Sequence, residues 1–596
     1  MNYKLNTTND SELEAKTSVW KAFAKMIGLL SYEKKNIAIA IAAIIVNSGM
    51  TLLGPLLVGY TIDTYISGRD FHGVLVFSGI LVGVYAIAFC GGYVQTRVMG
   101  GVGQRTLFRL RDSVFTKLQE LPVAFFNQNK TGDLISRINN DTDKLNHFFS
   151  QSLMQFTGNA FTIIGAALFI LIINWRLGLA ALIPAGILII FTQFVSGWVK
   201  RTTLRSLRAE GNLSSEIQES LGNFKAIIAF NRRDYFKQKF SIANLTNFRA
   251  SVLAGLGSNL FMPVYDFAAN IAQLIVFIYG IYLITQGQLA IGILISFLIY
   301  IGRFYDPLRQ FASFWSTMQI ALAGWDRISE IIHMKSDLVT IPLQASDTTT
   351  QKGSASSTPL VQFENVSFQY SPEKTVLKNI TFNLEKGKTY ALVGPTGGGK
   401  TTTASLIARL FDPTSGVIRF DGRDIRTYTP EERASKIGFI LQDPFLFSGT
   451  VRENILYGNS KHIGDSAETL SKLLKEEGLD TLLDRFEGGL DTKVAGNAET
   501  LSLGQRQLIA FIRAVLRQPD LLILDEATAN IDTVTEQLLD AILRKLPAHT
   551  TVVIIAHRLN TIENADEIFF VNSGTITPAG SMEHAVEMLL KQKRKS

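Results

Sequence analysis

Six runs of about 20 or more mostly apolar residues fill the first half of the chain, and each is long enough to cross the roughly 30 Å hydrocarbon core of a bilayer as a helix. They fall at 37–62, 74–98, 156–174, 177–199, 259–285 and 289–323, with Pro55, Pro184 and Pro263 inside them. Lipid offers a backbone amide no partner, so runs of this kind must satisfy their hydrogen bonds internally, as helices. The last run continues through FYDPLRQFASFWSTMQIALAGWDRISEII, which predicts a helix that leaves the lipid toward the second half.

Lys and Arg set the orientation. The stretches 99–150 and 200–250 carry Arg105, Arg109, Arg111, Lys117, Arg137, Lys200, Arg201, Arg205, Arg208, Arg232 and Arg233, whereas the connections near 63–73, 174–177 and 285–289 hold almost none. Positive charge stays inside, so both basic stretches and both termini face the cytoplasm. The helical period persists through these stretches, which predicts helices that run well below the membrane and turn back. The net charge of +7 gathers between apolar runs, which argues against a nucleic-acid partner. A single Cys90 excludes a disulfide framework and a cysteine-built metal site. The start, MNYKLNTTNDSELEAK, carries acids where a secretory signal needs a basic start and an apolar run, so no cleaved targeting peptide is expected.

At 47% hydrophobic and 18% charged, the chain is too apolar for one soluble domain and too charged for a wholly embedded one. The change comes after 334. Residues 335–358, rich in Ser, Thr and Gln without a period, read as a mobile linker. Strand patterns then begin with VQFENVSFQY and TVLKNITFNLEKG. The expected fold is multi-domain: an all-α six-helix transmembrane domain over 1–334, and an α/β phosphate-loop domain over 359–596.

Gly394, Pro395, Thr396, Gly397, Gly398, Gly399, Lys400 and Thr401 form G-x-x-x-x-G-K-T between the apolar strand YALV and a helix. Loop amides and the helix dipole suit phosphate oxygens. Lys400 would reach the β- and γ-phosphates of ATP, the Thr401 hydroxyl would ligate Mg²⁺, and Thr402 extends the nucleotide contact. Farther on, Leu521-Leu-Ile-Leu-Asp525-Glu526 is an apolar strand ending in two acids. Asp525 would hold Mg²⁺ through water and Glu526 would activate the attacking water. The strand TVVIIAH carries His557 to another strand end, where ligands of open α/β sheets bind.

Leu501-Ser502-Leu503-Gly504-Gln505-Arg506-Gln507 resembles the signature sequence of ATP-binding cassette (ABC) proteins, and the region from about 360 to 585 is similar to that family throughout. The resemblance implies that Tyr370 stacks on adenine, that Gln442 is the glutamine-loop ligand of Mg²⁺, that Asp532 is the D-loop aspartate and that His557 is the switch histidine. Segments 125–145 and 219–236 resemble the cytoplasmic helices that couple exporter membrane domains to cassettes. The whole then looks like a multidrug-type export half-transporter with the type IV fold. Two such halves would sandwich two ATP molecules, each between one chain's phosphate loop and the Ser502, Leu503, Gly504 and Gln505 signature positions of the other.

Leu503 stands where the signature usually has its first glycine, and the element Val494-Ala-Gly-Asn-Ala-Glu499-Thr departs from the family's glycine–glutamate pattern. The phosphate loop, Glu526 and His557 are intact. That imbalance resembles the catalytically complete subunit of bacterial heterodimeric multidrug exporters. It implies a different half-transporter as partner in the cytoplasmic membrane of a bacterium, a homodimer being the alternative. For the cargo, Asp266 is the acid deepest in an apolar run: it either attracts a cationic, amphipathic small molecule or pairs with a Lys or Arg of another helix. Phe261, Tyr265, Phe297, Tyr300, Phe304 and Phe311 either line a path for such molecules or pack the helices. A lipid flippase and an ATP-gated channel share these motifs and remain open as alternatives.

Overall fold

A computed structural model of the protein describes residues 3–5, 19–342, 358–371, 373–459, 461–495, 501–525, 533–543, 546–555, 565–580, 583–585 and 587–588. The chain divides into two compact units. One holds Met1–Lys4, Glu120–Lys130 and Lys335–Ser596, the other Leu5–Gln119 and Thr131–Met334.

In the helical unit, six helices among the described residues are long and apolar enough to cross a membrane: Phe23–Ile66, Phe71–Glu120, Thr131–Ile173, Trp175–Gly222, Arg233–Thr285 and Ile291–Ile332. Among the α-helices of this unit are α1 (Val19–Gly28), α2 (Lys34–Thr61), α3 (Phe71–Glu120), α4 (Leu153–Ile173), α5 (Trp175–Gly222), α6 (Arg233–Thr285) and α7 (Ile291–Ile332). With 50, 48 and 53 residues, α3, α5 and α6 are each about 70–80 Å long at 1.5 Å per residue, far more than a bilayer needs. Only Asn174 separates α4 from α5. Its side chain caps α5 by accepting from the Leu177 amide at 3.1 Å.

The packed centre of this unit is α7. Phe297, Tyr300 and Ile301 have no exposed surface and sit in a cluster with Leu52, Ala166, Ile170 and Ala272. Two tyrosine hydroxyls of α7 donate to carbonyls in the turn before a proline: Tyr300 to Leu52 at 2.5 Å, ahead of Pro55, and Tyr305 to Ala181 at 2.9 Å, ahead of Pro184. A proline ring disturbs the helix ladder just there, and a neighbouring hydroxyl supplies the loosened carbonyl with a donor. At the start of α7 the Asp63 carboxylate accepts from the amides of Gly292 at 2.6 Å and Ile293 at 3.1 Å, a charged cap on a helix N-terminus. The contact is close because Gly292 lacks a side chain: a Cβ there would fall 2.1 Å from the Gly59 carbonyl oxygen.

The other unit, the α/β one, has twelve strands among its described residues: β1 (Val361–Ser371), β2 (Lys374–Leu384), β3 (Thr389–Val393), β4 (Ser415–Phe420), β5 (Arg423–Asp424), β6 (Ile437–Ile440), β7 (Gly449–Thr450), β8 (Lys493–Val494), β9 (Leu521–Asp525), β10 (Thr551–Ile555), β11 (Glu567–Asn572) and β12 (Thr575–Pro578). The main sheet has the order β12-β11-β3-β10-β9-β6, and all its pairings are parallel except that of β12. Every residue of β9 and β10 is buried, as a parallel sheet covered on both faces requires. A smaller sheet, β2-β1-β4-β5, is antiparallel.

The stretch that composition assigns to a mobile linker differs from expectation at its start. Arg409, 3% exposed, donates to the Val339 carbonyl at 2.9 Å, the Ile341 amide donates to the Arg426 carbonyl at 3.1 Å, and the Asp337 amide donates to the Tyr3 hydroxyl at 2.9 Å. A buried guanidinium needs acceptors, and this segment supplies one from its backbone. Residues 343–357 lie outside the described residues.

Candidate nucleotide site

Parallel strands bring their carboxyl ends to one edge of the sheet, and the candidate residues lie along it. β3 ends at Val393, the loop from Gly394 to Gly399 follows, and α8 (Lys400–Ile407) starts at once. Gly394 has φ 151°, and a Cβ on it would come 2.0 Å from the Val571 carbonyl oxygen of β11. Gly399, the residue before α8, has φ 116° and would press a Cβ to within 2.7 Å of the Leu377 side chain. Backbone and side chain on two other strands thus hold the loop against the helix end. Its amides are presented where the helix dipole favours an anion. Val571 and Leu377 have no sequence signature of their own. The glycines were the only hint that something presses on the loop.

Lys400 is 5% exposed, and its Nζ donates to the carbonyls of Gly394 at 2.9 Å and Pro395 at 3.1 Å. The ammonium therefore sits in the concave side of its own loop. Thr396, Gly397 and Thr401 are exposed, while Gly398 is buried. The hydroxyls of Thr402 and Tyr370 are 3.1 Å apart. Tyr370 is half exposed and stands edge-on to Phe368 and Phe411, with ring centres 4.8 and 5.2 Å away. Beside it opens a crevice of about 980 Å³, lined also by Phe368, Phe411, Asn127 and Gln128, at the upper end of the size usual for small-molecule sites.

Asp525 ends β9, 7% exposed, in register with Ile555 of β10. On the other side of β9 runs β6, Ile440 opposite Leu524, and the exposed Gln442 lies two residues past its end. Arg513 holds the chain beyond Gln442, donating to the carbonyls of Phe445 at 3.2 Å and Asn454 at 2.7 Å. Burial lowers the proton affinity of that guanidinium from the ordinary arginine value. Thr401, Gln442 and Asp525 offer oxygen donors only, and Mg²⁺ prefers oxygen from a few protein groups. Glu526, Asp532, His557 and the segment 496–500 lie outside the described residues.

The signature positions open α9 (Leu503–Val515). Ser502 caps it by accepting from the Gln505 amide at 3.2 Å, while the Gln505 side chain accepts from the Ser502 amide at 2.9 Å and donates to the Arg485 carbonyl at 2.7 Å. Gly504 is buried. Leu503 is half-buried and packs its side chain against the core that contains Leu501 and Leu508.

In the helical unit Asp266 has a partner: Arg309 of α7 donates to its carboxylate at 3.4 Å, with 56% of the Asp266 side chain still exposed. Phe297 and Tyr300 have no free surface and serve packing, Tyr300 stacking on Phe169 at 5.5 Å. Tyr265 is 9% exposed, its hydroxyl 3.1 Å from that of Thr192. Phe261 is half-buried.

Comparison with known proteins places both halves. Residues 37–308 match the ABC transporter transmembrane region and residues 377–529 the ABC transporter domain. A putative multidrug export ATP-binding/permease protein of Bacillus subtilis is 30% identical over 572 residues, covering 93% of this chain and 95% of its own. A fatty acid ABC transporter ATP-binding/permease protein of Mycobacterium bovis is 30% identical over 514 residues, covering 86% of this chain and 80% of its own. The solved structure of a bacterial Atm1-family ABC exporter with ATP bound superposes with a TM-score of 0.76 at 24% identity, covering 94% of this chain and 98% of the other.

Proposed function

The chain belongs to the ABC transporter family, an ATPase domain coupled to a membrane-spanning exporter fold, and from that membership we propose that it is one half of a heterodimeric pump for hydrophobic or cationic small molecules. The pump resides in a bacterial cytoplasmic membrane with both termini inside. The observation that supports the reading is the phosphate loop itself: Gly394 to Gly399 are held against the start of α8, and the Lys400 ammonium folds over the carbonyls of Gly394 and Pro395, where loop amides and helix dipole favour an anion.

In the proposed cycle, the loop amides and Lys400 bind the ATP phosphates and Tyr370 meets the adenine. Thr401, Gln442 and Asp525 would hold Mg²⁺, which neutralises phosphate charge when bound. Glu526 orients and deprotonates the attacking water, and His557 steadies the γ-phosphate. Ser502 and the Gly504 amide of each chain complete the site of the other. The D-loop Asp532 lies at the same dimer seam. Closure of the cassettes opens the path outward, and hydrolysis resets it.

The asymmetric reading draws on Leu503. Packed against its own core, it leaves no glycine backbone for close approach at that signature position, so the site this chain completes for its partner is the weaker one. The name of the Mycobacterium relative favours a second cargo, a lipid-like acid, on the same machine.

Inside-out vesicles containing the chain and its genomic neighbour test the proposal. ATP-dependent accumulation of a fluorescent lipophilic cation is expected. Accumulation of fatty acid alone would transfer the assignment to the second cargo, and a fully active pump made of this chain by itself would remove the heterodimer.

A further inference from the structure

Where α1 and the turn Leu29–Glu33 meet α2, α3 and α4, the helical unit leaves an apolar groove of about 580 Å³. Phe23 and Ile27 of α1, Ile37 and Ile41 of α2, Met99 of α3 and Met154 of α4 form its walls. The polar residues in its lining are Ser31, Lys34 and Thr157, and no acid is among them.

Three observations say what fits. The first is charge. Glu33, next to Lys34, is buried, and its carboxylate accepts from Arg105 at 3.0 and 2.9 Å and from Asn36 at 2.6 Å, so that acid is satisfied elsewhere. Lys34 is exposed and has no ion pair among the described residues, which leaves a single uncompensated ammonium at one end of an apolar channel. The second is depth. From Lys34 to Ile44, both in the lining, α2 climbs roughly 15 Å at 1.5 Å per residue, half of the roughly 30 Å hydrocarbon core. The groove is one leaflet deep. The third is position: Lys34 is the first residue of α2, at the end where the basic stretches place the cytoplasm.

We propose that this groove binds one acidic phospholipid of the cytoplasmic leaflet, its phosphate on Lys34 and one acyl chain laid along α2 toward Ile44. An anionic head matches the ammonium, and an acyl chain matches both the length and the apolar walls. A chain in the groove restores contacts that its lining would lose if left open. The site lies on α1 and the first three spans, apart from Asp266 and α7, and does not depend on which molecule the pump exports.

The test uses the assembled transporter in nanodiscs of phosphatidylcholine with phosphatidylglycerol, and counts by native mass spectrometry the phosphatidylglycerol kept after delipidation. Lys34→Glu is expected to lower retention about fivefold or more, the worth of one lysine near an anionic surface. Lys34→Arg should retain wild-type levels. Ile41→Trp, which fills the channel without touching charge, should lower retention of both lipids, and Lys35→Glu, outside the lining, should change neither. Equal retention of the two lipids by the wild-type protein would overturn the proposal. So would undiminished phosphatidylglycerol in correctly assembled Lys34→Glu, or loss of the partner subunit in Ile41→Trp with lipid unchanged, which would mark the groove as a protein interface.

Discussion

Arg137 has its side chain wholly buried and places Nη1 2.6 Å from the Glu330 carboxylate of α7. Its Nε donates to Asp133 at 3.0 Å and Nη1 also to the Arg327 carbonyl at 2.8 Å. Arg327 in turn meets Asp133, and reaches Asp141 at 3.0 Å. The network ties the segment that opens the third membrane span to the last turns of α7. Removing the central cation takes a buried guanidinium away from both Glu330 and Asp133, so Arg137→Met should cost about 3 kcal/mol. A clear drop in apparent Tm in detergent is expected, and Arg137→Met with Glu330→Gln should recover part of it.

Lys400 donates to the carbonyls of Gly394 and Pro395 in its own loop. Lys400→Ala removes a charge-assisted contact from the polyphosphate, and a fluorescent ATP analogue should bind at least about tenfold more weakly, or about 1.4 kcal/mol.

Tyr3 joins two stretches of the cassette unit. Its amide donates to Gln128 at 2.8 Å, its carbonyl accepts from Asn129 at 2.9 Å, its hydroxyl accepts from the Asp337 amide at 2.9 Å, and its ring meets Phe125 edge-on at 6.5 Å. Tyr3→Phe keeps the ring and should cost about 1 kcal/mol; Tyr3→Ala empties a buried site and should cost about 3 kcal/mol. Hydrogen exchange at the Asp337 amide reads both, with faster exchange expected in the order wild type, Phe, Ala.

Asp266 and Arg309 form a pair at 3.4 Å that leaves more than half of the acid uncovered. So loose a pair adds little stability, and Asp266→Asn should leave the apparent Tm nearly unchanged. Its exposed charge is the part available to a cation: the same variant should slow export of lipophilic cations about two- to fivefold and leave neutral compounds alone. Unchanged cation export would assign Asp266 to helix pairing.

Some of this was legible because it is local. An apolar run of membrane length needs no partner to be recognised, and the phosphate loop shows itself through eight consecutive residues, Gly394 to Thr401, between the apolar β3 and α8. What escaped is long-range. Tyr3 and Asp337 are 334 positions apart and Arg137 and Glu330 are 193, so no window holds both partners. The bonds at the start of the linker escape for the same reason, since the acceptor that Val339 offers matters only once the distant Arg409 is buried beside it. Leu503 reads as an intruder in a glycine motif; only the fold shows that the side chain can turn into the core.

The central claim is that ATP hydrolysed with help from Glu526 drives the helices in the membrane. It is tested most directly by Glu526→Gln in the assembled pump, measuring ATP turnover and vesicle accumulation of the lipophilic cation in one preparation. The account predicts that ATP still binds while turnover and accumulation both fall at least about a hundredfold, the usual weight of a general base. Turnover and accumulation at wild-type rates would contradict it.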